Sequence, residues 1–158
     1  MEKIPPITLT AAGSGRRLPL DRLEVPAVLF FLWRDTIHLA EEINLGVRRR
    51  YPLASQLLVA NLADLRGVPG LLHRAVRREM DKGYRDIAAR LPAGMNPADY
   101  VLIVPDWKGQ ATRAVGLPSP LRHPALAVLG RGGLLLGVHQ GNDLSEAALR
   151  ILELAGIE

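Results

Sequence analysis

At 158 residues with 48% apolar side chains, the chain is long enough to close a hydrophobic core and short enough to be read as a single domain over residues 1–158. The formal charge of +4 reflects 20 basic residues, of which only Lys3, Lys82 and Lys108 are lysines, against 16 carboxylates spread along the whole length, an excess too mild to mark a specific nucleic-acid binder. The absence of cysteine excludes disulfides, thiolate metal ligands and thiol catalysis together, and says nothing of compartment.

Residues 1–10 lack the charged start and apolar core of a signal peptide. The longest apolar run, residues 25–33, is too short to cross a bilayer. The expectation is therefore a soluble, cytoplasmic chain. From the N-terminus, Ile7-Thr8-Leu9-Thr10 alternates like a short strand, and Ala12-Gly13-Ser14-Gly15 supplies turn residues before Arg17-Leu18-Pro19-Leu20, which together predict a small ribbon. Residues 25–33 are apolar throughout apart from Pro26 and read as a strand covered on both faces. Ile37, Ala40, Ile43 and Val47 then recur at helical spacing, with Asp35 or Thr36 available as the cap and Pro52 ending the segment. The run Arg48-Arg49-Arg50 either touches an anionic surface or complements the negative end of that helix.

Residues 56–62 predict a second buried strand, closed by the loop Arg66-Gly67-Val68-Pro69-Gly70. In the helix that follows, Leu72, Val76, Met80, Tyr84, Ile87, Ala88 and Leu91 form a stripe expected to be core, with Arg77, Arg78, Glu79, Asp81, Lys82 and Arg85 on a solvated face. Residues 92–97 break the chain before a third buried strand, Tyr100-Val101-Leu102-Ile103-Val104, which closes at Pro105-Asp106. The pattern then changes. Residues 125–129 and 134–139 are short apolar runs joined by Gly130-Arg131-Gly132-Gly133, a hairpin signature. A last helix spans residues 144–155, with Asp143 and Glu146 placed for a capping box. The order βαβαβ followed by ββα predicts an α/β fold, a mixed sheet with helices on both faces.

That order resembles the thioredoxin fold, in particular its redoxin branch of peroxiredoxins and bacterial thiol-disulfide reductases. Ile7-Thr8-Leu9 with Gly15 and Leu18-Pro19-Leu20 is similar to the opening ribbon, and Pro26-Ala27-Val28-Leu29-Phe30-Phe31 to the first central strand. Val104-Pro105-Asp106-Trp107-Lys108-Gly109-Gln110, with Ala114-Val115-Gly116-Leu117, resembles the third strand and its short helix. His123-Pro124-Ala125-Leu126-Ala127-Val128-Leu129, with Gly132-Gly133 and Gly141, resembles the cis-proline strand and its hairpin. The resemblance spans nearly the whole chain and implies a thioredoxin-like, three-layer domain with a central mixed sheet and an N-terminal ribbon. It also implies a cis bond before Pro124, and it puts Thr36 and Leu39 where a C-x-x-C pair would stand. An alcohol and an alkyl group cannot run a cycle that needs a thiolate.

The residues expected at the equivalent surface are Trp33, Arg34, Asp35, Thr36, His38, His123 and Pro124. One reading is a patch that binds a polypeptide or a small anion, with Trp33 supplying apolar area and Arg34 a charge-assisted hydrogen bond. The other is that Asp35 and Thr36 only cap a helix and Trp33 packs inward. His38, His123 and Asp35 do not have the spacing of a metal site, and Thr36 and His38, two apart on a helix, do not face each other as a nucleophile and base. His73 and His139 are expected at the surface or in hydrogen-bonded core positions. The glycine clusters at residues 12–17 and 130–133 lack the pattern of a phosphate cradle and read as turns. No catalytic residue, metal or cofactor is assigned. The function expected is a cysteine-less redoxin-like module that binds a protein or peptide, with neither membrane nor specific nucleic acid as partner and a homodimer as one option. The alternatives are an enzyme using non-thiol, metal-assisted chemistry through His38 and His123, and a doubly wound nucleotide-binding domain.

Overall fold

The computed structural model describes residues 2–32, 36–118, 121 and 123–158, apart from the side chain of Ile37. Its organising element is β3 (Ala27–Phe31), buried at every position. Each of its alternate residues feeds a different core, as the period of two along a strand requires. Ala27, Leu29 and Phe31 face one apolar cluster, and Val28 and Phe30, with Leu32 beyond them, face another. Strand β3 pairs in parallel with β4 (Leu58–Asp64), which pairs in parallel with β5 (Ile103–Asp106). On its other side β3 pairs antiparallel with β6 (Ala125–Leu129), and β6 with β7 (Leu135–Gln140), so the five-stranded mixed sheet runs β5-β4-β3-β6-β7. A separate antiparallel ribbon, β1 (Thr8–Thr10) with β2 (Arg17–Pro19), stands where it was expected.

The two cores make three layers. Helices α1 (Ala40–Arg50) and α5 (Leu144–Leu154) cover one face through Ile43, Val47, Leu144, Ala147, Ala148 and Leu152. The ribbon and the short helix α4 (Gln110–Ala114) cover the other through Leu9, Leu18, Ala111 and, just past α4, Val115. The glycine turn between β6 and β7 forms the predicted hairpin. Gly133 has φ +84°, and a Cβ there would lie 2.7 Å from the Asp21 Cα, so only glycine lets the hairpin lie against the segment after β2.

Several expectations are corrected. The strand predicted at residues 56–62 is shifted by two to Leu58–Asp64. The third strand begins only at Ile103, because Asn96 accepts the Ala98 N–H (3.2 Å) and Pro97 opens a one-turn helix, α3 (Pro97–Tyr100). The long helix α2 (His73–Ala88) has no buried residue. Its apolar stripe is not core: Leu72 and Ile87 are exposed, and Val76, Met80, Tyr84, Ala88 and Leu91 are only half-buried, because α2 lies against the β5 edge rather than over the sheet's centre. Nor is the opposite face wholly solvated, since Asp81 accepts the Gly13 N–H at 2.8 Å and Arg77 lies 5.0 Å from the Trp107 ring centroid. The Asp143–Glu146 capping box does not form. Asp143 makes no cap bond and instead takes the His139 imidazole at 2.7 Å. The basic run serves the fold. Arg48 donates to the Tyr51 and Leu57 carbonyls (3.1 and 2.8 Å) and Arg50 lies over the Tyr51 ring.

Candidate functional site

Three parallel strand ends and the start of β6 converge on one edge of the sheet. Phe31 stands opposite Leu62 in β4 and Ala125 in β6. The Leu32 N–H continues the parallel ladder to the Leu62 carbonyl at 3.0 Å. Beyond Phe31 and before Ala125, the chain therefore leaves the sheet side by side as Leu32 and Pro124. Trp33, Arg34 and Asp35, which follow Leu32, lie outside the described residues, so the readings placed on them are not addressed by the structure. Thr36 is half-buried and its carbonyl accepts the Leu39 N–H at 3.0 Å.

A 3₁₀ turn, Ile37–Leu39, runs from there into α1. Thr36 stands directly before this 3₁₀ turn, and the residue that joins the turn to α1, Leu39, is itself in a helical conformation and without a side-chain cap bond. Leu39 packs against the α1–α5 core. His38 and His123 are exposed, and among the described residues neither imidazole has a hydrogen bond or ion pair. Pro124 is buried, with its carbonyl accepting the Gly141 N–H at 2.9 Å and fastening the start of β6 to the end of β7. The topology thus puts Thr36 and His38, after β3, and His123 and Pro124, before β6, at one sheet edge. Among the described residues no group of three or more His, Asp or Glu could hold a metal.

The same edge carries a polar cluster absent from the sequence reading. Asp64 and Asp106 stand directly opposite at the ends of β4 and β5. Two facing carboxylates repel unless each is compensated, and each is. Asp64 is held by Arg66 through both oxygens, with Nε at 3.0 and 3.1 Å and a further bond from Nη2. Burial alone would raise the Asp64 pKa, but the hydrogen bonds and charge of Arg66 outweigh it and hold the carboxyl below the ordinary aspartate range. Asp106, 1% exposed, accepts the Gln110 and Ala111 N–H groups at 2.9 and 2.8 Å and so serves the first amides of α4. The Arg66 side chain crosses Gly109, φ +64°, where a Cβ would sit 2.0 Å from its Nε. The sequence signal for the Asp106 part was an aspartate four residues before the first helical residue. The Asp64 part shows only once strand register is known. Beyond this cluster Leu71, in the 3₁₀ turn Gly70–Leu72 that leads into α2, is 97% exposed.

His73 and His139 are explained as fold residues. The His73 Nε2 lies 3.0 Å from the Val68 carbonyl, its ring meets that of Trp107 at 4.4 Å with the planes tilted by 41°, and His139 pairs with Asp143.

No family model and no curated protein sequence matches the chain. Solved structures do. The exposed lipoprotein thioredoxin of Streptococcus pneumoniae superposes with a TM-score of 0.61 at 18% identity, covering 95% of this chain and 99% of that one. The protein dsbF of MTB, in mixed oxidised and reduced forms, superposes at 0.57 and 16%, covering 96% and 98%. A thioredoxin-like protein of Aeropyrum pernix superposes at 0.57 and 11%, covering 94% and 89%. With its mixed five-stranded sheet, two-stranded ribbon and helices on both faces, this cysteine-free chain has the thioredoxin-like α/β fold.

Proposed function

We propose that the chain is a binding module that holds an extended protein segment at the carboxyl edge of the sheet, around Thr36, His38, His123 and Pro124, and performs no thiol-dependent oxidation or reduction. The observation that carries this reading is the complete absence of cysteine from a chain with the thioredoxin-like α/β fold. Disulfide exchange and peroxide reduction both start from attack by a thiolate, and neither Thr36 nor Leu39 can supply one. The exposed imidazoles of His38 and His123 give that edge polar tips for a polypeptide partner to meet. The cis geometry expected at His123–Pro124 belongs to this reading, and the carbon chemical shifts of Pro124 report it. Among the described residues no helix is long and apolar enough to cross a membrane.

The test has two arms. The purified chain, given peroxide or insulin with NADPH and a thioredoxin or glutathione reducing system, consumes no NADPH above background. Clear turnover defeats the proposal. In the second arm, a reduced and carboxymethylated unfolded polypeptide is titrated into isotope-labelled protein. Saturable shifts at the amides of Thr36, His38 and His123 support the reading, and an unperturbed edge defeats it.

A further inference from the structure

A cleft that Asp106 of the edge cluster helps to line runs along the outer side of β5. It encloses about 580 Å³ between the ribbon, β5 and α2, within the size range of small-molecule sites. The ribbon reaches β5 through the Ala12 N–H, which donates to the Ile103 carbonyl at 2.7 Å. Next along the cleft, Pro105 has no N–H to offer. Helix α2 closes one end. Asp81 holds the Gly13 N–H, and Tyr84 packs so tightly on Gly13 that a Cβ there would lie 2.2 Å from its Cδ1. At the other end stands Trp107, with the His73 ring at 4.4 Å and the Arg77 guanidinium at 5.0 Å.

The charges of this cleft are unequally committed. Its two carboxylates are engaged inside the fold, Asp81 by the Gly13 N–H and Asp106 by the Gln110 and Ala111 N–H groups. Its two cations, Arg77 and Lys108, are exposed, and among the described residues neither has an ion pair. The indole fixes the Arg77 guanidinium in place, so less entropy is lost when its planar fork meets an oxyanion. Met80 and Leu9 supply an apolar wall beside it, and Thr8 and Thr10 line the same space.

From this arrangement we propose that the cleft binds a small organic anion, a carboxylate or phosphate monoester. Its oxyanion is held between Arg77 and Lys108, and its apolar body lies against Met80 and Leu9. The bound group needs both parts. A bare anion leaves the wall of Met80 and Leu9 wet, and a neutral body leaves two cations uncompensated.

Fluorescence of Trp107, isolated in a Trp33→Phe background, reads the site directly. Benzoate and phenyl phosphate are titrated in parallel, with inorganic phosphate as the bodiless anion and benzamide as the neutral body. Saturable binding of benzoate, phenyl phosphate or both is expected, the stronger of the two identifying the head group, with inorganic phosphate and benzamide each at least about tenfold weaker. Arg77→Met and Lys108→Met each weaken binding about tenfold, the loss of one charge-assisted hydrogen bond, while circular dichroism stays that of the parent. No saturable response to either aromatic anion, equal affinity for benzamide, or unchanged affinity in the folded Arg77→Met variant overturns the proposal. None of these outcomes bears on binding at the Thr36–Pro124 edge, which is read by other residues and another probe.

Discussion

The carboxylates at the ends of β4 and β5 show how single residues are tuned by their partners. Asp106 is fully enclosed and its two oxygens serve two backbone amides of α4. Replacing it by alanine removes a cap and orphans two donors, which should cost roughly 1–3 kcal/mol of unfolding free energy. Asp106→Asn keeps one acceptor and should lose about half of that, a difference that urea titrations of the two variants resolve. Asp64 gives a pH signature. Its folded pKa is depressed by Arg66 against the opposing effect of burial. Its contribution is therefore complete above the ordinary aspartate pKa and declines as pH falls through the depressed folded value. The stability advantage of the parent over Asp64→Asn should be largest at neutral pH and vanish in acid. In Arg66→Met the side-chain bonds and the guanidinium charge are lost while burial, the N–H of residue 66 and the Arg113 charge remain, so the Asp64 carboxyl should titrate higher than in the parent, which an NMR titration of its side chain detects. A carboxyl that titrates in that variant where it does in the parent would show that the Arg66 side chain is not its anchor.

At the scale of elements, α2 is the outlier. Sixteen residues long, it buries none of them, whereas every residue of β3 and β6 is buried. Burial of apolar area is what holds a helix to its neighbours. The amides of α2 should therefore exchange with solvent through local opening well before those of β3 and β6, in a hydrogen-exchange series by mass spectrometry or NMR. Equal protection of α2 and the central strands would refute this. Gly83 sits inside this helix with room for a methyl group, since a Cβ there meets only the Ile103 Cδ1 at 3.7 Å. Gly83→Ala should stabilise the protein by roughly 0.5–1 kcal/mol and slow the exchange of α2 selectively. The same helix marks the limit of what the sequence could say. The period of its apolar residues reports that one side is apolar, but the elements that cover that side are set by tertiary placement. Strands buried on both faces, such as β3 and β6, were legible because an unbroken apolar run has few other uses. The glycine hairpin was legible because few residues tolerate its backbone. The shifted starts of β4 and β5 have a local cause at β5, where Asn96-Pro97 signals a helical turn that the apolar run after it masked. The Asp64–Asp106 pair was illegible, because residues 42 positions apart meet only through register.

For the molecule as a whole, the sheet joins two cores, and β3 and β6 leave it side by side at one edge, where Leu32 and Leu39 still belong to the α1–α5 side. A cysteine pair introduced at that edge tests the placement of residues 36 and 39. The Thr36 carbonyl accepts the Leu39 N–H at 3.0 Å, the i to i+3 bond of a tight turn, which keeps the two Cα atoms within about 7 Å. A disulfide spans about 4.4–6.8 Å between Cα atoms, so Thr36→Cys with Leu39→Cys should close a bridge on mild oxidation, with no free thiol left to alkylate. Both positions lie where the chain turns into α1, and a thiol near a helix N-terminus is acidified. The double variant should therefore be reduced by a thioredoxin reductase system with NADPH consumption, whereas the parent and Thr36→Cys alone consume none. Leu39 packs on the α1–α5 core, so some loss of stability, about 2–3 kcal/mol from truncating a half-buried leucine, accompanies the gain. If the oxidised, folded double variant still carries two alkylatable thiols, residues 36 and 39 do not occupy the place of a redox pair. The binding edge proposed around Thr36 and Pro124 would then have to be sought elsewhere on the sheet.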